Sequence, residues 1–131
     1  DAYGLGAGEV AAKLYAHGCR HFFVAQFVEA RRLRPLLAAD ATVFVLNGLQ
    51  PGNESACARE NIVPVVNSLE QWHAWSGTAK AFGRTLPAVL QFDTGMSRLG
   101  VPPEERAALA SWLMSVATSA AIALASVLAS E

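Results

Sequence analysis

Apolar residues along this chain recur with two alternating periods, which predict helices and strands in turn. Short runs rich in β-branched and aromatic residues predict buried strands. These runs lie at residues 20–25, 42–46, 62–66 and 86–92. Apolar residues at helical spacing predict the helices between them. The helical segments lie at residues 8–17, 28–39, 54–60 and 69–82, with a further helix opening near Pro102.

Local signals mark the ends of several predicted helices. Gly18 and Gly83 follow the last apolar positions of two helices and suit C-caps. Ser68 is a predicted N-cap, with Gln71 at the third helical position. Pro35 is expected to bend or split the second helix, because proline lacks the backbone N–H that a helix interior needs.

Alternation of strands and helices at this spacing is typical of an α/β fold with parallel strands. We expect about five or six parallel strands in all, the last of them near residues 122–128. An open sheet of that size would be a complete domain. An eight-stranded barrel needs roughly 250 residues, so this chain would be only part of one. The pattern alone leaves both architectures open.

The final part of the chain has two interpretations. Residues 107–130 carry no charge and are long enough to span a bilayer. Alanine and serine supply much of this stretch, however, and they contribute little to membrane insertion. We therefore expect a helix followed by a strand in a soluble core, and no membrane span.

Composition and charge narrow the classes of function. The 131 residues are 53% hydrophobic and 16% charged, with a mean hydropathy of +0.29 and a net charge of -1. Such a chain has ample apolar surface to bury, so we expect a folded domain and not intrinsic disorder. A balanced charge provides no basic surface, so we expect no nucleic-acid partner. Cys19 and Cys57 are expected to be buried thiols in a reducing compartment, and no residues have the spacing of metal ligands.

The glycine-rich opening at residues 4–9 differs from a dinucleotide-binding fingerprint. Glu9 occupies the position of the third glycine, and too few residues precede Gly4 to show a strand. A glycine-rich turn before a helix still lets backbone N–H groups approach an anion, so a phosphate contact stays open here.

Two motifs resemble those of one enzyme family. D-A-Y-G-L-G at residues 1–6 resembles the end of the K-A-D-A-Y-G-H/L-G signature of alanine racemases. F-D-T-G-M-S-R-L-G at residues 92–100 resembles their D-T-G-M-x-R-[LI]-G segment. The intervening V-A-Q-F-V-E-A-R-R-L-R and F-V-L-N-G stretches are also similar, so the resemblance covers residues 1 to about 106.

The resemblance implies that residues 1–131 form part of an N-terminal TIM (β/α)8 barrel, without the family's C-terminal β domain. It implies a cytoplasmic, homodimeric isomerase that uses pyridoxal 5'-phosphate to interconvert L- and D-alanine for the cell wall. In the family the cofactor forms a Schiff base with a lysine, which would lie two residues before Asp1. The opposite-face tyrosine base belongs to the C-terminal domain. This chain alone is therefore expected to be inactive.

The resemblance also assigns site residues. Tyr3 matches the family tyrosine that hydrogen-bonds the cofactor phosphate, and Arg98 matches the arginine near the cofactor's phenolic oxygen and the substrate carboxylate. Gln91, Asp93 and Met96 would lie beside the site. Gln91 stands where many members carry a carbamylated lysine that helps position the arginine. From its own place after a strand, Asp93 is expected to cap a turn with Thr94 and Gly95.

A further segment departs from the family. L-A-S-V-L-A-S at residues 124–130 resembles L-x-S-H-L-A-S/C, with Val127 in place of a histidine that orients the cofactor-side network. Two alternatives to a racemase therefore stay open. One is a non-catalytic, degenerate or engineered half-barrel, and the other is a small open-sheet binding module. Trp72 and Trp75 are expected to pack in the core in either case.

Overall fold

A computed structural model describes residues 2–116 and 124–128, with side chains as far as residue 113. The strands of this part are β1 (His21–Val24), β2 (Thr42–Val45), β3 (Val63–Val66), β4 (Ala88–Gln91) and β5 (Leu124–Leu128). The α-helices are α1 (Ala7–Ala16), α2 (Phe27–Leu33), α3 (Glu54–Arg59), α4 (Leu69–Phe82) and α5 (Pro103–Val116). Short turns of 3-10 helix lie at Ala2–Gly4 and Arg34–Leu36.

The described strands form one parallel sheet in the order β1-β2-β3-β4-β5. Each strand therefore lies beside its neighbour in sequence. Right-handed crossovers between such strands place every helix on the same side of the sheet. A doubly wound open sheet instead reverses its strand order at one point. The observed order is that of a (β/α) barrel, which confirms the partial barrel and makes the open-sheet architecture wrong.

The predicted ends of α1, α3 and α4 lie within one residue of those in the structure, whereas α2 ends at Leu33, six residues before its predicted end, and proline decides two boundaries. Ser68 Oγ accepts a hydrogen bond from Gln71 N at 3.2 Å at the start of α4, and Gly83 follows its end with a φ of 60°. Pro35 splits the second helix as predicted, since α2 gives way to 3-10 geometry at Arg34. β4 begins later than predicted, after Pro87, which cannot donate to a strand ladder.

The end of the chain agrees with the prediction of about five or six strands. The described residues contain five, and β5 is the strand expected near residues 122–128. The helix expected before it is observed as α5, while residues 117–123, which include the start of the predicted strand, lie outside the described part. Within the described ranges, no helix is long and apolar enough to cross a membrane.

Apolar side chains cover both faces of the sheet. On the helix side, strand residues such as Val43 and Leu90 pack in one cluster with Trp72 and Trp75, which confirms the core role of both tryptophans. A smaller cluster covers the other face, which a barrel turns towards its interior. Its members are Val63, Val65 and Val89, with Phe44 and Leu46 partly buried against them.

The two thiols differ in environment. Cys57 is fully buried and donates a hydrogen bond from Sγ to the carbonyl of Ile62 at 3.2 Å. Burial raises the pKa of its thiol to about 12, so Cys57 stays protonated and inert at neutral pH. Cys19 is only half-buried, in the connection that leads to β1. The prediction of a buried thiol is thus confirmed for Cys57 and wrong for Cys19.

Candidate functional site

The residues proposed from the sequence lie at one edge of the sheet, where the parallel strands end. Gln91 is the last residue of β4, and Asp93, Met96 and Arg98 follow it directly. Tyr3 precedes α1, and each helix of such a fold starts at the edge where strands end. Binding sites of (β/α) barrels form at this edge. The placement therefore suits a ligand site.

Asp93 organises the loop that follows β4. Its Oδ1 accepts hydrogen bonds from the backbone N–H groups of Gly95 at 2.9 Å and Ser97 at 3.0 Å. This geometry confirms the turn-capping role with Gly95. The same N–H groups, Gly95 first and then Ser97, hold the pKa of the Asp93 carboxyl below its usual value.

The base of this loop is closed by backbone hydrogen bonds. Val101 N donates to the carbonyl of Gln91 at 2.7 Å, and Asp93 N donates to the carbonyl of Val101 at 3.1 Å. Gly100, which directly precedes Val101, has a φ of +108°, and a Cβ there would lie 2.5 Å from Asp93 N. Only glycine fits at this position, so the loop returns to the sheet along a fixed path.

The closed loop presents two long side chains to solvent. Arg98 is exposed, and Met96 is 73% exposed. Neither of the two ion pairs among the described residues involves Arg98. The arginine is therefore available to an anionic ligand, while its backbone belongs to an ordered turn.

Tyr3 lies apart from the other proposed site residues. It has left-handed backbone angles, with φ 57° and ψ 29°, in the short turn at Ala2–Gly4. Its side chain is fully exposed, so it packs against none of the other proposed site residues. The structure gathers Gln91, Asp93, Met96 and Arg98 around one loop and leaves Tyr3 separate from them.

A polar cluster that was not predicted from the sequence joins the loops after β2 and β3. Asn67 donates from Nδ2 to the carbonyl of Leu46 at 2.8 Å. Gln71 accepts from Asn67 N at 2.9 Å and donates from Nε2 to the carbonyl of Asn47 at 3.2 Å. The available signal was that Asn47 and Asn67 each directly follow a predicted strand.

The first turn of α5 makes two more contacts that were not predicted from the sequence. The Glu105 carboxylate accepts a hydrogen bond from Leu69 N at 2.7 Å, at the start of α4. The Arg106 guanidinium donates to the backbone carbonyl of Asp93. Acidic residues in the first turn of a helix suit the helix dipole, but these long-range partners have no signature in the sequence.

Substituting Asp93 with asparagine is expected to make the free energy of unfolding less dependent on pH. Because the fold lowers the pKa of this carboxyl, its charge contributes stability above the ordinary pKa, about 3.9. That contribution is lost as the pH falls through the lowered value. Asparagine retains an acceptor oxygen without the charge. Urea unfolding from pH 7 to pH 2 should therefore show a gap between wild type and Asp93→Asn that closes in acid. A gap of constant size would contradict the role of the charge.

The strand order defines a class of protein, a parallel (β/α) barrel segment, and in this fold ligand sites form at the strand ends. Residues 1–130 match the family described as the N-terminal domain of alanine racemase. The chain belongs to this family, and the resemblance seen in its motifs is confirmed.

Individual relatives agree with this membership. The chain is 72% identical over 113 residues to the catabolic alanine racemase of Rhizobium johnstonii, covering 86% of this chain and 30% of that protein. It is 62% identical over 105 residues to the alanine racemase of Brucella ovis, covering 80% of this chain and 26% of that protein. The chain thus spans about a third or less of the length of these relatives.

Solved structures show the same fold. Alanine racemase from Bartonella henselae with covalently bound pyridoxal phosphate matches with a TM-score of 0.84 and 37% identity, over 92% of this chain and 35% of that one. Alanine racemase from Clostridium difficile in complex with cycloserine matches with a TM-score of 0.81 and 26% identity, over 99% and 36% respectively.

Proposed function

We propose that residues 1–131 are part of the N-terminal barrel domain of an alanine racemase. The whole protein would be a cytoplasmic homodimer that uses pyridoxal phosphate to interconvert L- and D-alanine. The loop at residues 93–100 carries this proposal, since it is closed by its own hydrogen bonds and holds Arg98 exposed at the strand ends. The similarity to named alanine racemases supports it.

The side chains at this edge fit an anionic cofactor. Tyr3 offers a fully exposed phenol O–H, and Arg98 offers an exposed guanidinium. A neutral donor and a charged fork of donors both suit phosphate and phenolate oxygens. Beside Tyr3, a Cβ at Gly4 or Gly6 would meet nothing within 4 Å, so the backbone there is open to a ligand.

In the proposed reaction, the residues of this chain bind and orient the cofactor and the substrate. Bound pyridoxal phosphate supplies an electron sink for the negative charge that develops at the α-carbon of the amino acid. Tyr3 donates a hydrogen bond to the phosphate, and Arg98 holds the substrate carboxylate. Gln91 has no charge, so it can orient Arg98 only by accepting a hydrogen bond at its amide oxygen, without the attraction of an anionic partner. The groups that move the α-proton come from outside residues 1–131 in this proposal.

Removing the Arg98 guanidinium is expected to weaken catalysis strongly. Each charge-assisted hydrogen bond contributes about 1.5–3 kcal/mol, so losing the fork in Arg98→Met should lower kcat/KM for alanine by roughly 100-fold or more. Arg98→Lys keeps the charge without the fork of donors, so its kcat/KM should lie between those of wild type and Arg98→Met. The assay is the conversion of L- to D-alanine by the complete protein that the gene encodes, with bound cofactor followed by its absorbance.

The control for this prediction is Arg59→Met, since Arg59 is an exposed arginine on α3, away from the strand ends. That variant should keep wild-type kinetics. Full activity in Arg98→Met would contradict the proposed role of Arg98, and a wild-type protein that does not racemise alanine would contradict the proposed function itself.

One observation favours a non-catalytic half-barrel as the second candidate. The two departures from the family motifs lie on neighbouring strands, because Gln91 pairs with Leu128 and Leu90 pairs with Val127. Two polar family residues would thus be lost from adjacent places in the sheet. Intact mass of the natural protein, together with its cofactor absorbance, separates the candidates. A mass of 13.9 kDa without cofactor supports the half-barrel, whereas a larger mass with bound cofactor supports the racemase.

A further inference from the structure

The first turn of α5 is anchored to the loops that follow two different strands. Glu105 accepts from Leu69 N, just after the end of β3, at 2.7 Å. Arg106, the next residue, donates to the Asp93 carbonyl in the loop after β4. The start of this helix therefore fixes the loop after β4 relative to its neighbour, by bonds that are independent of the sheet.

The hydrogen bonds of the loop converge on Asp93. Its carboxylate caps the turn, its N–H donates to Val101, and its carbonyl accepts from Arg106. All three polar groups of Asp93 are thus engaged. Of these bonds, the one from Arg106 is the only one that comes from a side chain outside residues 93–101. Arg98 lies within the loop and has an exposed side chain, so its direction depends on where this loop is held.

The way Arg106 is placed argues against a role in stability alone. Its side chain is half-buried, and its Nε is buried without a hydrogen-bond partner among the described residues. An unpartnered buried donor costs folding free energy, and a well-packed apolar side chain would avoid that cost. What the guanidinium contributes instead is a charge-assisted bond to one particular carbonyl.

We propose that Arg106 is a positioning residue, which holds the loop of residues 93–100 through the Asp93 carbonyl and so sets the direction from which Arg98 meets an anionic ligand. The link to Arg98 rests on the proposed function. The hold on the loop does not, because it follows from contacts within this chain.

Hydrogen exchange of the cofactor-free protein tests the hold on the loop. Arg106→Met removes the donor, Arg106→Lys keeps one charged donor, and Arg59→Met is the matched control at an exposed arginine. One lost charge-assisted bond corresponds to roughly tenfold. The amides of Gly95 and Ser97 should therefore exchange about tenfold faster in Arg106→Met. They should exchange at an intermediate rate in Arg106→Lys, and at the wild-type rate in Arg59→Met.

Kinetics of the complete protein test the link to Arg98. A misdirected Arg98 weakens binding of the carboxylate in the ground state and the transition state alike, so KM for alanine should rise about tenfold while kcat changes little. Arg106→Lys should recover part of the loss. A general loss of structure would not raise KM while leaving kcat nearly unchanged, and Arg106→Lys would not reverse its effect.

The outcomes separate the inference from the function on which it draws. Unchanged exchange in Arg106→Met overturns the inference, whatever the activity. Faster exchange with an unchanged KM overturns the link between Arg106 and Arg98. If the wild-type protein does not racemise alanine, the proposed function fails, and the exchange comparison alone decides whether Arg106 holds the loop.

Discussion

Replacing Gly100 with alanine is expected to lower the free energy of unfolding by roughly 3–4 kcal/mol, from backbone strain and overlap together. The φ of +108° at this position strains any residue with a side chain, and the added Cβ would lie 2.5 Å from Asp93 N and 2.6 Å from the carbonyl carbon of Phe92. The neighbouring backbone cannot move aside easily, because Asp93 and Val101 are hydrogen-bonded across the base of the loop. The loop that carries Arg98 should therefore lose its fixed path.

Gly18→Ala is the matched variant for this experiment. Its φ is +95°, but a Cβ there would meet nothing within 4 Å. Its free energy of unfolding should fall only by the cost of the left-handed conformation, about 1–2 kcal/mol. Urea unfolding followed by far-UV circular dichroism measures both losses. Equal losses in the two variants would show that contact with the Asp93 backbone is not what requires glycine at position 100.

Truncating Trp72 to alanine is expected to cost about 4 kcal/mol of unfolding free energy, the largest effect of a single substitution considered for this chain. Trp72 is 0% exposed and lies in the cluster between α4 and the sheet. Its ring meets that of Trp112 edge-on, with centroids 5.2 Å apart and planes at 90°. Alanine would leave a cavity and remove this aromatic contact, which adds about 1 kcal/mol beyond burial.

Trp72→Phe distinguishes the two sources of this stability. The Trp72 Nε1 atom is buried without a hydrogen-bond partner among the described residues, so phenylalanine gives up no hydrogen bond there. It keeps an aromatic ring against Trp112 and should cost less than half as much as alanine. Urea titrations of both variants measure the difference. A phenylalanine variant as unstable as the alanine variant would contradict this account of the packing.

Local signals in the sequence were sufficient for the elements but not for their arrangement. Ser68, Gly83 and Pro35 act on neighbouring backbone, so their effects can be predicted from adjacent residues. The strand order could not be predicted in this way, because an open sheet and a barrel have the same alternation of strands and helices. The order β1 to β5 without reversal decides between them, and it is set by contacts distant in sequence.

The candidate site was predictable to a similar degree. The D-T-G-M-S-R-L-G motif led to Asp93 and Arg98, and the capping of the turn follows from an aspartate placed after a strand. Arg106 could not be found in this way, because it bonds a backbone carbonyl thirteen positions away. Every residue has a backbone carbonyl, so a contact to that group does not require any particular residue type at the acceptor position.

The contrast between the two thiols provides a built-in reporter for all of these variants. Cys57 lies on the buried side of α3 with its pKa raised to about 12, whereas Cys19 is half-buried. A thiol reagent applied in brief pulses should modify Cys19 in the native protein and reach Cys57 only when α3 separates from the sheet. The ratio of doubly to singly labelled chains, read by mass, would then give the rate of that opening without any added probe.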